Sequence, residues 1–242
     1  DGSITGIFDR EWGRELIDSL ADYHVGEVIN ERLGKNRGQL EQYRLEEFQR
    51  QSWSDVRFSS ITQGAVFDYM LMDGVMKDCA EGRITCEIRL YHGEKRIEFL
   101  YSMKKLAVTD PEGVYVAFPL KLDGGSFLVQ VAGGTMVPGK EQIEGSASDW
   151  IGIQDFVSLR NSEGQIVLVS PEVPLVQLGE INLGKFARKA NPATGHIFSW
   201  VMNNYWTTNF LASQEGELRW SYHITSGNNA SIAKATNFAT GI

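Results

Sequence analysis

The chain has 242 residues, a formal net charge of -8, a pI near 5.1, 25 glycines and 2 cysteines. That length supports one large domain or two small ones, with a core that needs neither a disulfide scaffold nor a structural metal. An excess of 31 acidic over 23 basic residues, with no run of Lys and Arg, sets the chain against nucleic acid and anionic lipid.

In chain order, Ile4 to Phe8 reads as a first strand. From about Arg32 to Gln51 comes an excursion in which Leu40, Tyr43 and Phe48 could line one side of a short helix, although Gly34 and Gly38 weaken its start. Ala65 to Met72 is the next strand, with a turn expected at Asp73 and Gly74. From Arg83 to Leu90, apolar Ile84, Cys86, Ile88 and Leu90 alternate with polar Arg83, Thr85, Glu87 and Arg89, the pattern of a strand with one wet face. A turn at His92 and Gly93 then leads into a second alternating run, Arg96 to Tyr101, so 83–101 is an antiparallel hairpin.

Cys79 and Cys86 flank an expected turn at Glu81 and Gly82, where they either face one another or act as small buried hydrophobes; the second reading is the simpler. Val114, Val116, Phe118 and Leu120 line one face of a strand that turns at Asp123 to Gly125 into Phe127 to Val131. Further strands are expected at Ile153 to Leu159, Ile166 to Val169, His196 to Met202 and Leu218 to Ile224, with turns at Asn161 to Gly164 and Gly216. Many short strands, glycine near a tenth of the sequence and no alternation with long helices define an all-β fold, a large two-sheet antiparallel β-sandwich. The longest apolar stretches, 114–120 and the Pro-interrupted 166–178, fall short of the roughly 18–20 residues of a membrane helix, so no membrane partner is expected.

Residue chemistry nominates few sites. His24, His92, His196 and His223 are scattered without zinc-ligand spacing, and His223 shares the polar face of its strand with Arg219, Ser221 and Thr225. The pairs Gly124 with Gly125 and Gly133 with Gly134 join strands, not a strand to a helix, and so cradle no phosphate. Trp200 to Phe210 stands out because amides interleave with aromatics. Planar amides bond sugar hydroxyls and aromatic faces stack on pyranose rings, which makes Asn203, Asn204, Tyr205, Trp206 and Asn209 the candidate substrate-binding residues. The plainer reading of this stretch is a strand that ends in an Asn turn with its aromatics in the core. A weaker candidate is the Gln142 to Asp149 loop, with Glu144, Ser146 and Ser148.

Five segments in order, Gly2 to Asp18 (GSITGIFDREWGRELID), Ser102 to Leu120 (SMKKLAVTDPEGVYVAFPL), Gly134 to Trp150 (GTMVPGKEQIEGSASDW), Val169 to Gly179 (VSPEVPLVQLG) and Met202 to Phe210 (MNNYWTTNF), resemble the C-terminal β-rich half of α-mannosidases of glycoside hydrolase family 38. The resemblance implies a sandwich related in fold to galactose mutarotase, placed after a helical bundle and a zinc-dependent (β/α) barrel that cleaves glycosides with retention. In that family an early His, any residue, Asp motif helps to hold the zinc and an Asp is the nucleophile. None of the four histidines here is followed by such a motif.

The expectation is therefore a single sandwich domain over 1–242, a piece of a longer chain whose barrel lies upstream. Its catalytic residues and zinc would lie in that missing part, leaving this chain without a catalytic residue, metal or cofactor of its own and inactive alone. Its partners would be the catalytic domain of the same polypeptide and mannose-containing glycans. The competing readings are a stand-alone carbohydrate-binding module and, from fold analogy only, a mutarotase-like epimerase using His196 and His223. The low cysteine count favours a bacterial cytoplasm or periplasm.

Overall fold

A computed structural model describes residues 3–34, 36, 38–42, 44–205 and 210–241. In them the alternating stretches become β1 (Phe8–Asp9), β2 (Arg14–Glu15), β3 (Glu27–Leu33), β4 (Phe48–Ser52), β5 (Ser54–Phe58), β6 (Phe67–Val75), β7 (Cys79–Tyr91), β8 (Ile97–Lys105) and β9 (Glu112–Pro119). The second half supplies β10 (Ser126–Val131), β11 (Gly134–Met136), β12 (Ile151–Gly152), β13 (Phe156–Arg160), β14 (Gln165–Val169), β15 (Leu175–Leu178), β16 (His196–Asn204), β17 (Gly216–Gly227) and one helix, α1 (Ile232–Thr240). A nine-stranded sheet in the order β11-β10-β13-β14-β17-β8-β7-β6-β5 packs on a six-stranded sheet in the order β12-β15-β16-β9-β3-β4. Their ladders are antiparallel throughout, so the fold is the expected all-β two-sheet sandwich.

The core lies between the inner faces. Phe118 of the small sheet meets Phe99 edge-on at 5.9 Å and Tyr222 at 4.8 Å, both from the large sheet. Two buried hydroxyls there are paired across the gap: that of Tyr222 donates to Ser199 Oγ (2.8 Å) and that of Tyr101 to the Gly26 carbonyl (2.7 Å). On β9, Val114, Val116 and Phe118 point into this core, while Tyr115 and Ala117 on its other face are also buried, under a smaller cluster with Ile29, Ile181, Leu183, Phe198 and Trp200. That second cover explains why 114–120 reads as a continuous apolar run.

Five local expectations are corrected, beginning with the Ile4 to Phe8 strand, of which only Phe8 lies in a strand while Ile4 makes an isolated bridge to Val25. The 32–51 excursion holds no helix among its described residues: Arg32 and Leu33 end β3, Phe48 to Gln51 belong to β4, and the loop between is organised by Gln39. The Gln39 amide donates to the Asn36 and Glu47 carbonyls and accepts from the Glu46 and Glu47 N–H groups, replacing the bonds a helix would have made. Asp73 and Gly74 are no turn but part of β6, and Gly74 is needed because the Trp53 ring lies 2.7 Å from where a Cβ would stand. Trp53 is also where the chain passes from β4 in one sheet to β5 in the other.

Glu81 (φ 58°) and Gly82 (φ 69°) form a bulge within β7, so Cys79 and Cys86 lie along one strand and do not face across a hairpin. At about 3.3 Å per residue they are far beyond the roughly 7 Å a disulfide tolerates, and both are buried free thiols. Finally, α1 was not foreseen. Ser231 caps it by accepting from the Lys234 N–H (3.3 Å), Gly241 ends it at φ 73°, and Ala235 seats it on Phe156, Val167 and Val169 of the large sheet's outer face. This helix is not long and apolar enough to cross a membrane.

Candidate functional site

Asn203 and Asn204 end β16 on the small sheet, where β9 offers Gly113 and Glu112 as partners. The Asn204 side chain is 4% exposed and donates to the Val108 (3.1 Å) and Ala212 (3.2 Å) carbonyls, so its amide is occupied by backbone. Asn203 is half-buried, and its Oδ1 accepts from the Tyr205 N–H at 3.4 Å. Tyr205 lies over Gly113, whose missing side chain makes the room: a Cβ there would stand 2.6 Å from the phenolic oxygen. Trp206 and Asn209 fall outside the described residues.

Beneath Tyr205 sits a group that the sequence did not announce. Glu31 of β3 is fully buried. One of its oxygens accepts from the Tyr205 hydroxyl at 2.7 Å and the Tyr115 hydroxyl at 3.3 Å, and the other accepts from Arg50 Nε on the neighbouring β4. Burial, with the adjacent negative charge of Glu31, pushes both phenols well above their ordinary range, so they stay protonated donors. Gln177 extends the set: its Nε2 donates to the Tyr115 hydroxyl (3.4 Å), and its Oε1 accepts from the Asn182 and Leu183 N–H groups. A carboxylate satisfied by two phenols and one guanidinium is built to hold strands and loops in position.

The two nominated loops approach the same aromatic cluster. Trp200 stacks on Tyr115 (5.7 Å, 9°), Tyr205 leans on Trp200 (5.8 Å), and Trp150, directly after the 142–149 loop, meets Trp200 edge-on at 5.7 Å. Trp150 is 36% exposed, which leaves part of its ring open to solvent. In that loop Glu144 and Ser146 are exposed, while Ser148 bonds the Ala187 carbonyl. Buried Asp149 accepts from the Gly184, Phe186 and Ala187 N–H groups, fixing the facing 184–187 turn. Glu31, Arg50, Tyr115, Gln177 and Trp150 join this site only in three dimensions.

Each histidine pairs with one carboxylate: His196 with Asp18 (3.1 Å), His223 with Glu98 (3.0 Å), His92 with Asp68 (3.0 Å) and His24 with Glu27 (3.3 Å). His196 lies on the outer face of the small sheet beside Phe198, whereas His223 alternates with core residues Tyr222 and Ile224 and faces out from the large sheet. The two therefore do not form the joint acid and base of an epimerase, a correction to that reading. The hydrogen bond from His223 holds the Glu98 carboxyl below its ordinary range against the opposing effect of burial. For Asp18 burial acts upward but is outweighed by the Leu20 N–H and His196, and its pKa is lowered. Among the described residues no three His, Cys, Asp or Glu side chains are grouped so that they could hold a metal ion.

The class defined by this geometry is a two-sheet antiparallel sandwich with a buried polar cluster and an aromatic group on the outer face of its smaller sheet. Among solved structures, the chain is similar in fold to an alpha-mannosidase from Enterococcus faecalis V583, with a TM-score of 0.64, 11% identity, and coverage of 93% of this chain and 27% of that chain. It is likewise similar to a protein in glycosyl hydrolase family 38 from Enterococcus faecalis, with a TM-score of 0.59, 10% identity, and coverage of 93% and 28%. The chain thus resembles one domain of such an enzyme and spans about a quarter of its length. No protein-family model and no curated protein matches the sequence.

Proposed function

We propose that the chain is a supporting domain of a glycosidase polypeptide of the α-mannosidase kind, packing beside a zinc-dependent catalytic barrel and contributing the rim of a carbohydrate cleft. The observation that carries this reading is the fold likeness over 93% of the chain to an alpha-mannosidase of which it spans only 27%. Trp150 and half-buried Tyr205, seated on buried Trp200, form the surface assigned to the cleft, because aromatic faces beside fixed polar atoms suit a pyranose. In this role the Glu31 cluster positions the rim and takes no part in bond cleavage.

Two measurements test the proposal. The purified 242-residue chain is expected to leave an aryl α-mannoside intact with or without added zinc; efficient cleavage would overturn the supporting role. The coding sequence upstream of Asp1 is expected to contain a barrel with a His, any residue, Asp motif, and a start codon at that point with nothing before it would overturn the glycosidase reading. The stand-alone binding module draws on one observation, the partly open Trp150 ring. It predicts glycan binding that Trp150→Ala abolishes.

A further inference from the structure

A second place on the small sheet's outer face has the chemistry of a sugar site. A cavity of about 660 Å³ opens beside β16, with Phe198, Tyr23 and Phe48 among its walls and Asp18, His196 and Arg50 among its polar groups. Tyr23 meets Phe198 edge-on (5.8 Å, 86°), and Arg50 lies 4.7 Å over the Phe48 ring, so the aromatic walls are held in fixed orientations. Phe48 is 40% exposed, so the face of its ring that Arg50 leaves uncovered is open to the cavity. Its rim is also built: Gly184 (φ 84°) is pressed against Leu45, with a Cβ position 2.4 Å from that side chain.

The balance of charge narrows the occupant. Three carboxylates, Asp18, Asp22 and Glu180, face two cations, Arg50 and Lys185. Both cations are already engaged, Arg50 with Glu31 and Lys185 with Glu180, which leaves little for a phosphate or carboxylate ligand. A purely apolar ligand would strip water from these charged groups without replacing it. A neutral polyhydroxylated ring meets both demands, with its apolar face on an aromatic wall and its hydroxyls on Asp18 and His196. His196 and Phe198 are two residues apart on one face of β16, roughly 6.6 Å, and both line this cavity.

We propose that this cavity binds one neutral pyranose unit of a glycan, at a place separate from the Trp150 and Tyr205 group. The inference rests on the proposed glycosidase role only for the choice of mannose among the probes. The test is titration of the full 242-residue chain with methyl α-mannoside, methyl α-galactoside and methyl β-glucoside, followed by calorimetry and by backbone amide shifts. A ligand of this size should bind with a dissociation constant on the order of 1 mM, with shifts centred on His196 and Phe198. Phe48→Ala, at an exposed edge-strand position, and Asp18→Asn should each weaken binding at least fivefold while circular dichroism stays unchanged. Binding of galactoside or glucoside but not mannoside would uphold the site and count against the mannosidase reading. No binding of any of the three, or binding that both variants leave unaltered, would overturn the site and leave the domain's supporting role standing.

Discussion

Tyr205 shows how one glycine places a candidate residue. Gly113 leaves space for its ring, and buried Glu31 takes its proton donor. Tyr205→Phe should therefore cost about 1.5–3 kcal/mol in urea unfolding, the range for a hydrogen bond to a charged acceptor. Gly113→Ala should cost about 1–3 kcal/mol, because its Cβ displaces the same ring. Since both changes break one contact, their effects should be markedly less than additive in a double-mutant cycle. A second residue-scale expectation concerns Glu98, whose folded pKa lies below the ordinary 4.5, chiefly through His223. A depressed carboxylate pKa gives stability that is present above about pH 4.5 and lost as pH falls through the folded value. Unfolding free energy should fall with pH below that point in the native chain, and Glu98→Gln should flatten the slope.

Elements differ in how plainly their sequences declare them. The strands within 83–101 and 114–131 follow from period-2 alternation and glycine turns, and the structure has them as β7 with β8 and β9 with β10. The Gln39 loop defeated the same reasoning because apolar spacing at Leu40, Tyr43 and Phe48 resembles a helix, while the decisive bonds come from one side chain to residues seven and eight positions away. For α1 the signal was present in Ser231 and Gly241, a cap at each end, but a helix of nine residues is marginal without its seat on Phe156, Val167 and Val169. Ser231→Ala should destabilise the chain by about 1 kcal/mol in chemical denaturation. A loss near zero would show that α1 is held by packing alone.

At the scale of the molecule, one core cluster takes side chains from both sheets and from the N-terminal segment through Leu16 and Ile17. The chain is therefore expected to unfold as a unit, with coincident transitions by far-ultraviolet circular dichroism and tryptophan fluorescence. Two separated transitions would divide 1–242 into independent domains. The buried polar cluster and the aromatic group beside it on the small sheet are likewise a property of the whole. Their residues come from β3, β4, β9, β15, β16 and the loop before β12, and no short window of sequence contains more than a few of them.

By itself the sequence determined the class of fold, since alternation along each strand states which side chains must leave water, and burial is proportional to the apolar area removed. It also singled out the amide and aromatic run that ends β16. Only the tertiary structure decided what those residues do: that Asn204 is spent on backbone carbonyls, that Tyr205 turns down to Glu31, and that His196 and His223 look out from opposite sheets. The reason is physical. Secondary structure follows from neighbours a few residues apart, whereas a hydrogen-bonded cluster joins groups such as Glu31 and Tyr205, 174 positions apart, and their meeting depends on β3 and β16 both pairing with β9 in the small sheet.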